Sequence, residues 1–359
     1  MGRDGAPHAG LKLRPEERAT ISIDRMRARR LVMPLAASLA VVASCGPEIQ
    51  PQRRVPERVA AVPAPPARQP STPLVKVTAL DARIPRIGEL PGLVGRLQHH
   101  AVAEGETVLQ IGRAAGIGFR SLRAANPILQ NYVPRPGTDL VIPTRFILPR
   151  SNNRGLVVNV AEMRLYMFPA VTRPGDEVPI RTWPVGIGHE LAESPEGVFR
   201  ITSKDANPTW VIPDSIYQEM DEPKQRVVPP GPDNPLGDYR IRTSIELVAF
   251  HGTNDPWTIG RPTTHGCIRL YAEDIEALYD LVDRGYPGEF VYEPVKLGRA
   301  DGRIWIEVHP DVYQRVGDLQ ALAATELEQA GLTHAVDTAS VRAAVAAASG
   351  VPEDVTARR

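Results

Sequence analysis

Two stretches decide how this chain is read: His251-Gly252-Thr253-Asn254, and Arg261-Pro262-Thr263-Thr264-His265-Gly266-Cys267-Ile268-Arg269-Leu270. The apolar run Leu247-Val248-Ala249-Phe250 delivers His251 at the end of a predicted strand, and Cys267 follows sixteen positions later, room enough for a loop to fold the chain back. A thiol is a strong nucleophile near neutral pH only when a neighbour takes its proton or stabilises its thiolate. An imidazole brought beside it meets that need. Gly266 lets the backbone pass tightly before Cys267 and turns amide N–H groups toward a developing oxyanion. Arg269 adds positive charge favouring both a thiolate and a substrate carboxylate.

Outward from this pair the pattern is short strands punctuated by Gly and Pro: Gly155–Val160, Arg164–Phe168 after the turn Ala161-Glu162, Ile180–Gly188 and Gly197–Ile201. Such a series predicts a mainly β sandwich or barrel-like domain. One helix is predicted over Tyr271–Arg284, with Glu273 and Asp274 in its first turn and the apolar stripe Ile275, Leu278, Leu281, Val282 facing a core. The Pro-rich segment from Asn207 to Tyr239 reads as a loop or lid near the cleft, with Trp210 and Tyr239 as candidate contacts to a peptide substrate. Beyond Pro294 a strand, Ile304–Val308, and two amphipathic helices, around Leu319–Ala330 and Val341–Ala348, form a tail in which no chemistry is visible.

A histidine followed by Thr264-His265-Gly266-Cys267-x-Arg269 resembles the signature of L,D-transpeptidases with the YkuD-type catalytic fold. The resemblance runs from about Arg154 to Pro294 and includes Pro184-Val185-Gly186-Ile187-Gly188 and Ser194-Pro195-Glu196-Gly197. It implies Cys267 as the attacking group and His251 as the group exchanging its proton. The Gly252 carbonyl orients the imidazole, Thr264, His265 and Gly266 shape the oxyanion pocket, and Arg269 positions substrate. Thr264 stands where serine is more frequent in the family, which keeps the hydroxyl, and Glu196 stands where threonine is frequent before the glycine. A zinc site of His251, His265 and Cys267 suits the residue types but lacks a fourth ligand, so no metal and no cofactor are expected. Each histidine taken singly reads as a buried, hydrogen-bonded residue; the set with Gly266-Cys267 does not.

The rest of the chain reads as an export signal and a small module. Arg27, Arg29 and Arg30 precede the apolar run Leu31–Ala43, too short to span a membrane and suited to a signal peptide. It ends in Val42-Ala43-Ser44-Cys45, which resembles the bacterial lipoprotein cleavage box, with Cys45 as the lipidated residue. Only two cysteines are present; with Cys45 lipidated, Cys267 is left unpaired in an oxidising compartment, where idle thiols are uncommon. Residues 1–25 read as a polar extension before a true start at Met26, 26–45 as the signal and 46–95 as a Pro/Ala/Arg-rich linker. Much of the excess of proline, 36 residues and about twice the usual share, falls there.

Residues 96–146 then read as strand, helix, helix, strand: His100-Ala101-Val102, a helix capped by Thr107 with Val108, Ile111 and Ala115 inward, a second helix carrying Phe119, Leu122 and Ala125, and Leu140–Pro143. This βααβ pattern, with Gly105-Glu106-Thr107, Asn126-Pro127 and Pro136-Gly137, resembles a LysM module, a family that binds the N-acetylglucosamine-containing glycan of peptidoglycan. The expected architecture is thus a LysM module, a mainly β catalytic domain at 153–296 and a helical extension at 297–359.

The balance of 42 Lys+Arg against 42 Asp+Glu excludes the basic excess of a nucleic-acid binder. The resemblance implies a lipid-anchored envelope enzyme, on the periplasmic side and with Gly46 favouring the outer membrane, acting on the stems and glycan of peptidoglycan. Cys267 forms a thioester with a tetrapeptide stem and passes it to an amine, as a 3→3 crosslink or onto an envelope lipoprotein. Left open are an L,D-carboxypeptidase or hydrolase using the same acyl-enzyme, and a non-catalytic peptidoglycan-binding lipoprotein.

Overall fold

A computed structural model of the chain describes residues 73–220 and 225–358. The signal, Cys45 and most of the linker lie outside the described residues.

The protein is mainly β. Its centre is a nine-stranded sheet in the order Ala79–Arg83, Glu177–Pro184, Arg164–Met167, Leu156–Asn159, Pro287–Val291, Gly197–Ala206, Tyr239–Thr243, Ala249–His251, Ile268–Arg269. Neighbours are antiparallel except Leu156–Asn159 with Pro287–Val291, and Ala249–His251 with Ile268–Arg269, which run parallel. Because strand side chains alternate between faces, a strand buried on both sides reads as a continuous apolar run. Leu156-Val157-Val158 is such a run: Leu156 and Val158 enter one core with Leu165, Trp183, Phe250 and Phe290, and Val157 enters another with Tyr166, Phe168 and Ile180.

The second of these cores is shared with the βααβ segment. Ile111, Leu122, Leu140 and Ile142 join Val157 and Tyr166 in one apolar cluster. The first helix, Val108–Ala115, carries a capping box, with the Thr107 hydroxyl accepting from Gln110 N–H at 3.1 Å and the Gln110 side chain accepting from Thr107 N–H at 2.9 Å. Asn126 ends the second helix, Phe119–Ala125, and its side chain bonds Leu122 O and both backbone groups of Val141, tying helix to strand. Where this segment meets the loop leading to Cys267, backbones touch: a Cβ on Gly118 would lie 2.8 Å from Gly260 Cα, so neither position has room for a side chain.

The linker expectation needs correction at its downstream end. Ala79–Arg83 is an edge strand paired with Glu177–Arg181, and Leu93–Gly95 pairs with Arg145–Ile147. Each strand is only a few residues long and surrounded by proline-rich sequence, so composition hid the alternation that buries Val77, Ala82 and Ile84.

Helix Ala272–Leu281 packs Ile275 and Leu278 against the core that holds Phe250. After it, Val295–Ala300, Arg303–Val308 and Glu353–Asp354 form a three-stranded sheet, with helices Leu319–Gln329 and Thr338–Ala347 sharing its core. At the junction of βααβ segment, sheet and tail lies a buried charge cluster. Lys296 Nζ is 2.8 Å from carboxylate oxygens of both Glu162 and Glu307, and donates to Ile147 O at 2.7 Å. The Glu307 carboxylate also accepts from Ile147 N–H and contacts His309 at 2.7 Å, while Tyr166 donates to Glu162.

Candidate active site

His251 and Cys267 are brought together by strand register. Phe250 pairs with Ile268 and His251 with Arg269 in parallel, which sets Cys267, one residue earlier, beside Ala249. Side chains in register share a face, so the fully buried Phe250 and Ile268 point into the core while His251, Cys267 and Arg269 point to the other side. The next strand adds Arg240, paired with His251. The result is a sheet face carrying an imidazole, a thiol and two guanidinium groups. Arg240 is held by Asp205 at 2.8 Å.

The turn before Cys267 is held from inside. Gly266 has φ +97°, a conformation that L side chains rarely adopt. The Thr264 hydroxyl donates to Cys267 O at 2.6 Å. The fully buried Ser194 hydroxyl donates to Gly266 O at 3.0 Å and accepts from Gly188 N–H at 3.0 Å. Behind it Tyr313, from the tail, donates to Gly188 O at 2.8 Å and accepts from Ser194 N–H at 3.1 Å. Cys267 itself is partly buried and unpaired, and its thiol donates to Leu247 O at 3.3 Å. Leu247 adopts φ +61°, an uncommon conformation for a bulky residue.

The electrostatics favour a neutral resting pair. Burial pushes the His251 imidazole down to about 3, helped by Arg269 and Arg240 and opposed by its bond to Gly252. Burial also raises the Cys267 thiol, against the Ala249 amide and the charges of Arg269 and Arg240. His251 Nδ1 lies 2.7 Å from Gly252 O. A carbonyl only accepts, so Nδ1 carries the proton and Nε2 is left with a free lone pair. Arg269 is mostly buried, and its Nε has no partner among the described residues. A buried donor without a partner costs free energy, and a carboxylate ligand would relieve it.

The other expected residues are placed less uniformly. His265 turns outward, with Nε2 2.8 Å from a carboxylate oxygen of Glu219, and Thr264 is engaged with Cys267 O rather than open to the cleft. The segment expected to form a lid holds a short ribbon, Trp210–Val211 with Val227–Val228, flanking helix Asp214–Gln218. Trp210 lines a groove of about 450 Å³ with Ile212, Met220 and Asn254. Tyr239 is not in the cleft: it stands on the face opposite Arg240 and His251, packed against Tyr279 at 4.8 Å between ring centres and 3.4 Å from Glu276. Strand alternation accounts for this, since Tyr239 shares its face with the core residue Ile241. Sequence reading assigned no role to Ser194, Tyr313, Arg240 or Glu219. Ser194 lies in a quoted motif, but the others sit far from Cys267 along the chain and carry no local signal.

Comparison with known proteins gives the family. The L,D-transpeptidase catalytic domain, YkuD, matches residues 153–296. Probable L,D-transpeptidase YbiS of Escherichia coli (strain K12) is 38% identical over 224 residues, 60% of this chain and 71% of that protein. Probable L,D-transpeptidase ErfK/SrfK of Salmonella typhimurium is 34% identical over 255 residues, 68% of this chain and 81% of that one. Putative L,D-transpeptidase YkuD of Bacillus subtilis (strain 168) is 25% identical over 189 residues, 52% of this chain and 94% of its own length. With a catalytic domain of this family and relatives matched over more than two thirds of their length, the chain belongs to the L,D-transpeptidases and is an enzyme of that class.

Proposed function

We propose that Cys267 is the nucleophile of a peptidoglycan L,D-transpeptidase and His251 its general base. In the first step Sγ attacks the carbonyl carbon between the third residue of a tetrapeptide stem and its terminal D-alanine, and the thiol proton passes to His251 Nε2. The amides near Gly266 and Cys267 receive the oxyanion. The tetrahedral adduct collapses with cleavage of the C–N bond, His251 returns the proton to the leaving nitrogen, and D-alanine departs, leaving a thioester. An acceptor amine then attacks the thioester, losing a proton to His251, and the sulfur leaves and regains it. Arg269 receives a substrate carboxylate. No step calls for a metal or an organic cofactor.

The observation that carries this reading is the parallel register that sets thiol and imidazole on one face, with Nε2 of the imidazole free to accept. The acceptor amine is a diaminopimelate side chain of a second stem, giving a 3→3 crosslink, or a lysine of an envelope lipoprotein. The LysM-like segment would hold glycan and raise local substrate concentration, and a lipid on Cys45 would tether the enzyme to the periplasmic side of a membrane, the outer one favoured by Gly46. Among the described residues no helix is long and apolar enough to cross a membrane.

Intact mass after exposure to a carbapenem tests the nucleophile. A covalent adduct on the wild type that is absent from Cys267→Ala is expected, and no adduct on the wild type refutes the reading. Incubating a defined tetrapeptide stem with and without an added amine separates transfer from hydrolysis: a crosslinked product is expected, and hydrolysis alone means a carboxypeptidase.

A further inference from the structure

Besides the thiol site, two clusters of ligating side chains stand out. In the first, Glu162, Glu307 and His309 are buried together. Lys296 Nζ already sits 2.8 Å from both carboxylates, so an ammonium supplies the positive charge there and a metal has no room.

The second is open. One ligand atom each of His189, His265 and Glu219 lies within 4.8 Å of the others. The two imidazole rings meet edge to face, 4.8 Å between centres, and Glu219 Oε2 is 2.8 Å from His265 Nε2. These residues come from three separate segments. His189 follows the strand Ile187–Gly188 that pairs with Pro262–Thr264, His265 lies two residues before Cys267, and Glu219 is the C-terminal cap of the lid helix Asp214–Gln218. Two imidazoles and one carboxylate are the donor set of open zinc sites, where solvent or a further ligand takes the remaining position. Tetrahedral ligand atoms at about 2.0–2.2 Å from zinc sit roughly 3.4 Å from one another, so Glu219 and His265, 2.8 Å apart, must part slightly to admit the ion. His265 and Glu219 are solvent-exposed and His189 is partly exposed, so rotation of side chains can reach that spacing. Two contacts oppose binding: the His265–Glu219 bond, whose atoms the metal would take, and the bond His189 Nδ1 accepts from Leu191 N–H at 3.2 Å, which solvent can replace if that nitrogen turns to the metal.

We propose that His189, His265 and Glu219 form a site for a divalent transition metal, with zinc as the fitting ion, which fastens the lid helix to the turn that presents Cys267. Binding is a property of these three side chains and does not depend on the proposed reaction; its consequence is restricted access to the thiol. The site differs from a Cys267-centred metal site in using neither Cys267 nor His251.

The test is titration of the full chain with Zn²⁺ by calorimetry, together with the rate at which a bulky maleimide labels Cys267. One zinc per chain is expected, with the labelling rate reduced on binding and restored by EDTA. Cys267→Ala should bind zinc as the wild type does, and His189→Ala and Glu219→Gln should each weaken binding at least about tenfold. Absence of stoichiometric binding overturns the proposal, as does loss of binding in Cys267→Ala, which would make the thiolate the ligand. Binding that survives both His189→Ala and Glu219→Gln overturns it too. Zinc bound at this site with labelling unchanged refutes the fastening of the lid. None of these outcomes bears on carbapenem acylation of the metal-free enzyme, so failure here and failure of the proposed reaction are told apart.

Discussion

The Thr264 hydroxyl spans the turn that presents Cys267 and donates to the backbone carbonyl of that residue at 2.6 Å. The bond closes a loop of four residues around Gly266, so the direction of the thiol depends on a side chain that does not itself face the cleft. A neutral hydrogen bond of this kind contributes about 1 kcal/mol net, and more when its loss leaves a buried group unpaired. Thr264→Val should therefore slow carbapenem acylation roughly tenfold, whereas Thr264→Ser, which keeps the donor, should stay within about twofold of the wild type. A loss in Thr264→Ser with none in Thr264→Val would mean that the methyl group matters rather than the bond.

The depressed imidazole sets the pH profile. With His251 pushed down to about 3, the base stays neutral well below the ordinary histidine value of about 6.5, and the acylation rate should hold its plateau to below about pH 5. A midpoint at 6.5 or higher would contradict the neutral resting pair. Folding follows the same sign: between about pH 6.5 and 3 the unfolded chain binds a proton that folded His251 refuses, so stability falls as pH falls through that window. The urea midpoint of His251→Gln should decline less steeply over the same range.

Tyr313 acts on the thiol through two intermediaries, Ser194 and Gly266. Removing its hydroxyl leaves Gly188 O and Ser194 N–H without that partner, a cost of about 1–3 kcal/mol. Tyr313→Phe should fold, keep a KM near the wild type's when both are assayed metal-free, and lose roughly tenfold in kcat. A change confined to KM would place Tyr313 in substrate binding instead.

Lys296 bridges two buried carboxylates. Lys296→Met should cost about 3–5 kcal/mol, read as a drop in urea midpoint, because Glu162 and Glu307 stay buried with only Arg164, 3.6 Å from Glu162, and His309, 2.7 Å from Glu307, beside them. Adding Glu162→Gln and Glu307→Gln should recover part of the loss. A single variant within 1 kcal/mol of the wild type would show the cluster to be hydrated rather than dry.

Tyr239 and Arg269 should separate cleanly. Tyr239→Phe, on the helix-facing side of its strand, should leave stem-peptide turnover within about twofold. Arg269→Met removes a guanidinium from the thiol's own face and should raise KM for carboxylate-bearing stems; the reverse pattern would invert the assignment of faces.

Much of the site was legible because its chemistry is local. His251, Gly266 and Cys267 fall in two short stretches, and the apolar run before His251 already implied a strand. What a linear reading misses is whatever arrives from a distance. Glu219 reaches His265 across 46 positions and Tyr313 reaches Ser194 across 119, and neither carries a pattern of its own. Tyr239 was misplaced for another reason: nearness to the lid in sequence says nothing of which face a strand residue occupies, and the face is settled only by register with Ala249–His251. The edge strand Ala79–Arg83 was absorbed into the linker because its partner strand begins almost a hundred residues later.

The charge cluster around Lys296 also governs how this enzyme can be cut. The recognised catalytic segment ends at residue 296, so a gene fragment trimmed to that boundary retains Glu162 and the lysine but discards Glu307, their third member, and severs the strand Val295–Ala300 at its second residue. The smallest piece that keeps every member of the cluster extends past His309, and since Ile147 contributes both backbone groups to it, it begins upstream of 147 as well. Expression clones and chimeras drawn on family boundaries would inherit a lysine stripped of Glu307 and of the Ile147 backbone groups, whereas those drawn around this cluster would keep both.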